Sequence, residues 1–260
     1  MQQPTLGALG YINSLPFFYP IEKGIIPCTA ALNYDTPFSN NRRLRTGQLD
    51  IALISASEYL AQREHYTLLD SLCIGAKMKV MSVCLYTRLP VTKLSGLTVG
   101  LTDHSASSVN LLKVLCHHFW KVTPNFERFG KIDEHPQYDA FLLIGDASLQ
   151  NPSFSGYATI DLAHAWYRET GLPFTFALFA AKKDTDPASV TETQAQLQKA
   201  LAWSQSHRDE IIAAAGDKTA LPEPILQEYF NTLQYSLTPE MQQGLETFNN
   251  LFKAQQPALL

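Results

Sequence analysis

The amino-acid sequence predicts an α/β protein with two lobes. Short apolar runs typical of strands alternate with helical or turn-rich pieces, and that alternation favours sheets covered by helices. The 260 residues are 45% hydrophobic, which is enough for one large core or two modest ones, since domains commonly contain about 100 to 200 residues. The first apolar run, Leu6–Phe18, is interpreted as a strand that stops at Asn13, before Ser14 and Pro16.

Seven further strands are predicted from short apolar runs bounded by turn residues. They are Thr29–Leu32, Ile51–Ile54, Leu68–Leu72, Val80–Tyr86, Thr98–Leu101, Ala140–Ile144 and Phe174–Ala181. Four helices have start or stop signals in the form of capping hydroxyls, glycines and prolines. They begin at Ser39, near Ser105–Ser108, at Leu162 and after Thr238, and the first and third end at Gly47 and Gly171.

Composition narrows the function classes. The net charge of -4, from 20 basic and 24 acidic residues, gives no basic footprint for nucleic acid. The apolar run from Leu6 lacks a preceding basic segment, and no uninterrupted apolar run approaches the roughly 20 residues that span a bilayer, so we expect a cytoplasmic protein without a membrane partner. The cysteines, Cys28, Cys73, Cys84 and Cys116, lie far apart in sequence and are expected to be buried free thiols.

A set of short segments is distributed in order along nearly the whole chain. They are Gly10–Pro16, Gly47–Ser55, Glu58-Tyr59, Ser82-Val83, Leu89-Pro90, Leu94–Leu97, His104–Val109, Leu143–Asp146, Trp166–Phe174, Leu237–Glu240 and Gly244–Glu246. As a set they resemble the chorismate dehydratases of the futalosine route to menaquinone. The region Lys121–Tyr138 matches that family poorly.

This resemblance implies a two-lobed fold like that of type II periplasmic binding proteins, with a ligand cleft between the lobes. The first lobe would comprise residues 1–86 and 182–260, and the inserted second lobe residues 87–181. The chain would cross between the lobes near Thr87–Val91 and Ala181–Asp184. Closure of such lobes would exclude water from a bound acid and orient it.

The resemblance also implies a reaction, the conversion of chorismate to 3-[(1-carboxyvinyl)oxy]benzoate and water. That reaction needs anchors for two carboxylates, a proton acceptor and a donor to the leaving hydroxyl, but neither a redox cofactor nor a metal. One of the substrate's own carboxylates is a candidate proton acceptor. Two alternatives stay open: a non-catalytic small-carboxylate binding protein, and the related 1,4-dihydroxy-6-naphthoate synthase. The oligomeric state is not predicted.

Two residues are candidate catalytic groups. The amide of Asn13 both donates and accepts hydrogen bonds, so it would orient the substrate or polarise the departing hydroxyl. Ser82 lies within the predicted strand Val80–Tyr86, where a buried hydroxyl needs a hydrogen-bond partner. Taken without the resemblance, Asn13 would be interpreted as a turn residue and Ser82 as bonded to backbone.

The candidate substrate-binding residues follow predicted strands or begin predicted helices. They are Ser55, Ser105, Ser107, Ser108, Gly145 and Asp146. A helix start offers unpaired backbone N–H groups to a carboxylate, although ordinary capping explains the serines equally well. Gly145 would allow close backbone approach, and Asp146 would bond a ligand hydroxyl unless its charge repels a dianionic substrate.

Other polar groups are weaker candidates. His104 precedes the serine cluster and is a reserve candidate for the base. His117 and His118 are adjacent on a predicted helix and point apart, so a metal site is not expected there. The arginines of the first helix, Arg42, Arg43 and Arg45, are interpreted as a solvated helix face.

Overall fold

The computed structural model describes residues 3–102, 106–130 and 137–255. The chain divides into two compact units. The first comprises the described parts of Met1–Ile74 and Phe176–Leu237, and the second those of Gly75–Thr175 and Thr238–Leu260. Two mixed β-sheets with packed helices account for most of the chain, so the predicted α/β class is confirmed.

The amino-terminal part alternates strands and helices. It contains β1 (Thr5–Leu9), α1 (Leu15–Glu22), β2 (Ala31–Asp35), α2 (Pro37–Arg45), β3 (Ile51–Ser55), α3 (Ala56–Gln62) and β4 (Tyr66–Ala76). Strand β1 runs parallel to both β2 and β3. The carboxyl ends of these three strands therefore meet at one edge of the sheet, the kind of edge at which open α/β sheets bind ligands.

The middle of the chain forms most of the second unit. It contains β5 (Val83–Thr87), β6 (Thr98–Thr102), α4 (Ala106–Val114), β7 (Asn125–Phe129), β8 (Ala140–Ile144), α5 (Gly145–Gln150), β9 (Ala158–Asp161) and α6 (Leu162–Thr170). The strand order is β7-β6-β8-β5-β9. Strand β6 is parallel to β7 and β8, whereas β5 is antiparallel to β8 and β9. Aromatic rings fill much of the core of the second unit, where Tyr86 stacks on Phe141 with 5.0 Å between the ring centroids.

The carboxyl-terminal part returns to the first sheet and then leaves it. It contains β10 (Phe174–Lys182), α7 (Pro187–Ser206), α8 (Arg208–Thr219), α9 (Glu223–Thr232), β11 (Leu233–Ser236) and α10 (Pro239–Gln255). The first sheet has the strand order β11-β4-β10-β3-β1-β2, in which β10 is antiparallel to β3. In the second unit α10 packs against α4. No helix among the described residues has both the length and the apolar character of a bilayer span.

The unit boundaries differ from the expected lobes of residues 1–86 with 182–260 and residues 87–181. Strand β5 belongs to the second unit because it pairs with β8 and β9. The carboxyl-terminal helix α10 also belongs there, because it packs on α4 and on the segment around Pro173.

The start of α2 differs from its prediction. Thr36 caps the helix by accepting a hydrogen bond from the Ser39 backbone N–H at 3.2 Å, while the Ser39 hydroxyl donates to Asp35. Pro37 occupies the first helical position, so the cap falls on the residue before it. The predicted stop at Gly47 is confirmed by its φ of 73°, which favours glycine.

The four cysteines are free thiols. Cys73, Cys84 and Cys116 are buried, and burial raises the pKa of each thiol to about 12. Cys28 is half-buried. The expectation of buried free thiols is therefore confirmed for three of the four positions.

Candidate functional site

Asn13 lies just beyond the carboxyl end of β1. The strand ends at Leu9, and Asn13 occupies a short 3-10 helix, Ile12–Ser14, that leads into α1. The Ser14 hydroxyl closes this turn, since it lies 2.8 Å from both the Leu9 and Tyr11 carbonyl oxygens. The Tyr235 hydroxyl donates to the Asn13 carbonyl oxygen at 3.0 Å. The backbone of Asn13 is therefore held independently of its side chain.

The Asn13 side chain has an unsatisfied acceptor. Its Oδ1 is buried and receives no hydrogen bond from any residue in the described part of the chain. Buried side-chain polar atoms usually have a partner, and exceptions require an explanation. An amide oxygen left open at a carboxyl edge is suited to accept from a ligand hydroxyl.

Ser55 lies at the same edge, at the end of β3, but its contacts are structural. Its hydroxyl oxygen accepts from the Glu58 backbone N–H at 3.1 Å, which caps α3. The Asn41 side chain completes the arrangement, donating to Ser55 Oγ at 2.9 Å and accepting from the Ser55 backbone N–H at 3.0 Å. Ser55 is only 5% exposed, so these contacts favour the capping alternative.

A buried carboxylate stabilises the helix that follows Ser55. Glu58 is 8% exposed and accepts two hydrogen bonds from Arg45, at 2.9 and 2.7 Å, and one from the Tyr66 hydroxyl at 2.9 Å. The hydrogen bonds to Glu58 raise the pKa of Arg45. The Arg45 side chain is 52% exposed, which agrees with its interpretation as part of a solvated helix face, but it also pairs with Glu58, thirteen residues along the chain.

Replacing Arg45 with methionine is expected to lower the free energy of unfolding by about 1 to 3 kcal/mol. The change leaves the buried Glu58 carboxylate without its bidentate partner, although partial exposure of Arg45 limits the cost. Urea unfolding measures the effect. Arg42→Met is the matched control, because Arg42 lies exposed on the same helix. Equal losses for the two variants would contradict the stabilising role of the Glu58 contact.

Ser82 and Gly145 come together in the second unit. Val83 pairs with Ile144 in the antiparallel β5–β8 ladder, so the residue before β5 meets the residue after β8. The Gly145 backbone N–H donates to the Ser82 carbonyl oxygen at 2.7 Å. Three predicted site residues, Ser82, Gly145 and Asp146, are therefore neighbours.

The prediction that Ser82 lies within a strand was wrong. Met81 has a φ of 61°, which breaks the extended backbone, and the Ser82 N–H donates to the Val80 carbonyl oxygen at 2.7 Å. Ser82 therefore lies in a tight turn immediately before β5, and it is 2% exposed. Gly145 also has a positive φ, of 62°, where any side chain would add strain.

The start of α4 lies at the same edge of the second sheet. Strands β6 and β8 are parallel, so α4, which follows β6, and α5, which follows β8, begin at neighbouring strand ends. Ser107 and Ser108 occupy the first turn of α4, and each is 2% exposed. Asp146 is half-buried in the first turn of α5. His104 and Ser105 lie outside the described residues.

Two polar residues at these edges were not predicted. Asn41 has no local signal, because its partner Ser55 lies on another element. Asp161 directly precedes the predicted helix start at Leu162 and accepts from the His164 backbone N–H at 3.0 Å. An acidic residue immediately before an apolar periodic segment is a usual cap signal that would have indicated Asp161.

A cavity of about 630 Å³ lies in the second unit, beside Asp161. It is lined by residues of β9 and α6, together with Lys79, Val91 and Trp120. Its basic residues Lys79 and Arg168 are balanced by Asp161 and Glu169. That mixture gives no selectivity for an anionic ligand, so the strand edges are the better candidate site.

The two mixed sheets and their helices give the chain the α/β fold of the periplasmic binding proteins. The periplasmic aliphatic sulphonate binding protein of Escherichia coli is similar in fold, with a TM-score of 0.64 and 16% identity over 98% of this chain and 88% of that chain. The chain belongs to the menaquinone biosynthesis family, whose model matches residues 4–254. The predicted fold and family are confirmed.

Two curated relatives are both named chorismate dehydratase. Chorismate dehydratase of Thermus thermophilus is 28% identical over 229 residues, which is 82% of this chain and 83% of the relative. Chorismate dehydratase of Campylobacter jejuni is 29% identical over 178 residues, 67% of this chain and 66% of the relative.

Proposed function

We propose that this protein is a chorismate dehydratase, a carbon–oxygen lyase that converts chorismate to 3-[(1-carboxyvinyl)oxy]benzoate and water. The observation that carries the proposal is the family match over residues 4–254, and two curated relatives of the chain bear the name chorismate dehydratase. Polar groups of the kind that the reaction needs are present in each unit. They are the unpaired Asn13 Oδ1 in the first unit, and Ser82 with its neighbour Gly145 in the second.

The chemistry removes one proton and one hydroxide from neighbouring ring carbons. The proton passes from the carbon that bears the enolpyruvyl ether to a base, and the electrons of the broken C–H bond form the new ring double bond. The adjacent C–O bond breaks, and the departing hydroxide takes up a proton to leave as water. Aromatisation of the ring drives the reaction. The protein must therefore hold a dianionic substrate, orient the hydroxyl and allow a base to reach the proton.

In the first unit, Asn13 is assigned to the leaving hydroxyl. Its amide oxygen accepts from that hydroxyl in the bound substrate, and its NH₂ group donates to the oxygen as negative charge develops there. Ser55 supports this edge through its cap on α3 and its bonds to Asn41.

In the second unit, backbone and hydroxyl groups are assigned to substrate carboxylates. Ser107 and Ser108 lie in the first turn of α4, where the positive end of the helix dipole favours negative charge. Ser105, which precedes this turn in sequence, belongs to the same proposal. Ser82 and Gly145, which are joined by a backbone hydrogen bond, are assigned to the ring and its substituents.

The proton acceptor is assigned to a carboxylate of the substrate. Among the residues proposed for the site, Asp146 alone has a readily ionised side chain. Its negative charge would repel both carboxylates of the substrate. Asp146 is therefore not proposed as the base, and the one hydroxyl of chorismate is assigned to Asn13.

Incubation with chorismate tests the function. Purified protein is expected to give a product lighter by one water, detected by mass, with the absorbance of a substituted benzoate. Recovery of unchanged chorismate from saturated protein would favour the binding-protein alternative. Turnover of cyclic dehypoxanthinyl futalosine, with chorismate inert, would instead select 1,4-dihydroxy-6-naphthoate synthase.

Replacing Ser82 with alanine is expected to lower kcat/KM for chorismate about 10- to 100-fold, the cost of losing one hydrogen bond to a charged or reacting group. Steady-state kinetics on the folded protein measure the change. Ser204→Ala is the matched control: Ser204 is also a buried serine, but its hydroxyl donates to the Pro16 carbonyl oxygen at 2.9 Å. Unaltered kinetics for Ser82→Ala would reject the assignment.

A further inference from the structure

Asp161 makes three backbone contacts through one carboxylate. Its Oδ1 caps α6 by accepting from the His164 N–H at 3.0 Å. Its Oδ2 accepts from two consecutive backbone N–H groups of another segment, those of Val80 at 2.8 Å and Met81 at 2.7 Å. Asp161 therefore links the start of α6 to the turn that carries Ser82.

This turn needs an external constraint. Met81 has a φ of 61°, a conformation that side chains other than glycine, asparagine and aspartate rarely adopt. Two successive N–H groups that converge on one oxygen form a small anion-binding concavity, and the Asp161 carboxylate fills it. Hydrogen bonds to an ionised acceptor are roughly twice as strong as neutral ones, so Asp161 is suited to stabilise the strained turn.

A second constraint acts on the far side of the turn. The Ser82 carbonyl oxygen accepts from the Gly145 N–H at 2.7 Å, which ties the turn to the start of α5. Val83 then enters the ladder opposite Ile144. The backbone of Ser82 is thus fixed by β8 on one side and by Asp161, through Met81, on the other.

We propose that Asp161 is a positioning residue for the dehydration reaction: its carboxylate fixes the Val80–Ser82 turn and thereby the place of the Ser82 hydroxyl. This inference rests on the proposed function, because it assigns Ser82 a role toward substrate. Asp161 itself does not contact the reacting atoms in this proposal. Its contribution is orientation, and displacements of about 1 Å at a reacting group can lower rates about 100-fold.

Asp161→Asn separates positioning from helix capping. Asparagine caps helices about as well as aspartate, so the bond from the His164 N–H is retained. The second carboxylate oxygen becomes an NH₂ group, which cannot accept from Val80 or Met81. The expected result is a kcat about 10- to 100-fold lower. The midpoint of thermal unfolding should also fall, because the two bonds to the strained turn are lost, so the kinetics are measured well below that midpoint. Asp161→Ser, which also keeps a capping oxygen, is expected to give the same loss.

Asp186→Asn is the matched control. Asp186 caps α7 by accepting from the Ser189 N–H at 2.9 Å and the Ser189 hydroxyl at 2.8 Å. It lies in the first unit and outside the proposed site, so its amide variant is expected to keep wild-type kinetics. A similar fall in kcat for both variants would overturn the inference.

A double variant tests whether Asp161 acts through Ser82. In the Ser82→Ala background, Asp161→Asn is expected to cost less than threefold, because the hydroxyl that it positions is gone. Full additivity of the two effects would overturn the inference. A Met81 amide that exchanges with solvent no faster in Asp161→Asn than in wild type would overturn it as well.

The two proposals fail in different ways. Wild-type protein that leaves chorismate unchanged rejects the proposed function. Wild-type protein that turns over chorismate, with Asp161→Asn equally active, rejects only the positioning role.

Discussion

Replacing Asn13 with alanine is expected to lower kcat for chorismate dehydration about 100- to 1,000-fold, the typical cost of removing one preorganised group that contacts developing charge. The fold should persist, because Ser14 and Tyr235 hold the local backbone without using the Asn13 side chain. The Asn13 Oδ1 also has no partner among the described residues to lose. Single-turnover kinetics and thermal unfolding measure the two effects separately.

Asn33→Ala is the matched control for this variant. Asn33 lies on β2 in the same sheet, but its amide donates to the Ala31 carbonyl oxygen at 3.1 Å and accepts from Arg43 at 3.3 Å. Loss of these structural bonds should lower stability and leave kcat unchanged. An Asn13→Ala protein with normal kcat and a lowered unfolding midpoint would show that Asn13 is a turn residue.

Replacing Gly244 with alanine is expected to lower the free energy of unfolding by about 2 to 3 kcal/mol. A Cβ at this position of α10 would clash with the Pro173 carbonyl oxygen, because the two atoms would lie closer than van der Waals contact allows. That carbonyl cannot move freely, because it accepts from the Nε1–H of Trp166, which is fully buried, at 3.2 Å. The helix or the segment that contains Pro173 must therefore shift.

Gly216→Ala is the control for the Gly244 variant. Gly216 also lies within a helix, α8, but a Cβ there would meet Leu226 at an ordinary contact distance of 3.6 Å. Alanine is the better helix former by about 1 kcal/mol, so Gly216→Ala should raise stability. The free energy of unfolding, measured in urea, should thus fall for Gly244→Ala and rise for Gly216→Ala. A stabilising Gly244→Ala would show that α10 does not approach Pro173 so closely.

Local signals predicted many of the elements. Helix α6 has the predicted limits, Leu162 and Thr170, because its start and its Gly171 stop are both encoded within a few residues. The Thr238 start is confirmed by its hydroxyl, which accepts from the Met241 N–H at 3.3 Å. Strands β7, β9 and β11 were missed, since they are short or lack continuous apolar runs, and their pairing partners lie elsewhere in the chain.

The candidate site depended on information that is not local. Ser82 was placed in a strand because its neighbours are apolar, whereas the φ of Met81 ends the extended backbone. The contact between Ser82 and Gly145 follows from the register of β5 with β8, which no local pattern specifies. The hydrogen bonds between Asn41 and Ser55 likewise require α2 to lie beside β3.

The interleaved course of the chain has a consequence for folding during synthesis. Strand β3 pairs with β10, which is synthesised only after the whole middle of the chain. The first sheet therefore cannot be completed until β10 has been made. The second unit in turn lacks α10 until the end of the described chain is made. At about 5 to 20 residues per second, the ribosome exposes the unpaired edge of β3 for several seconds before β10 emerges. Nascent-chain aggregation, and hence demand for chaperones, should be greatest in that interval.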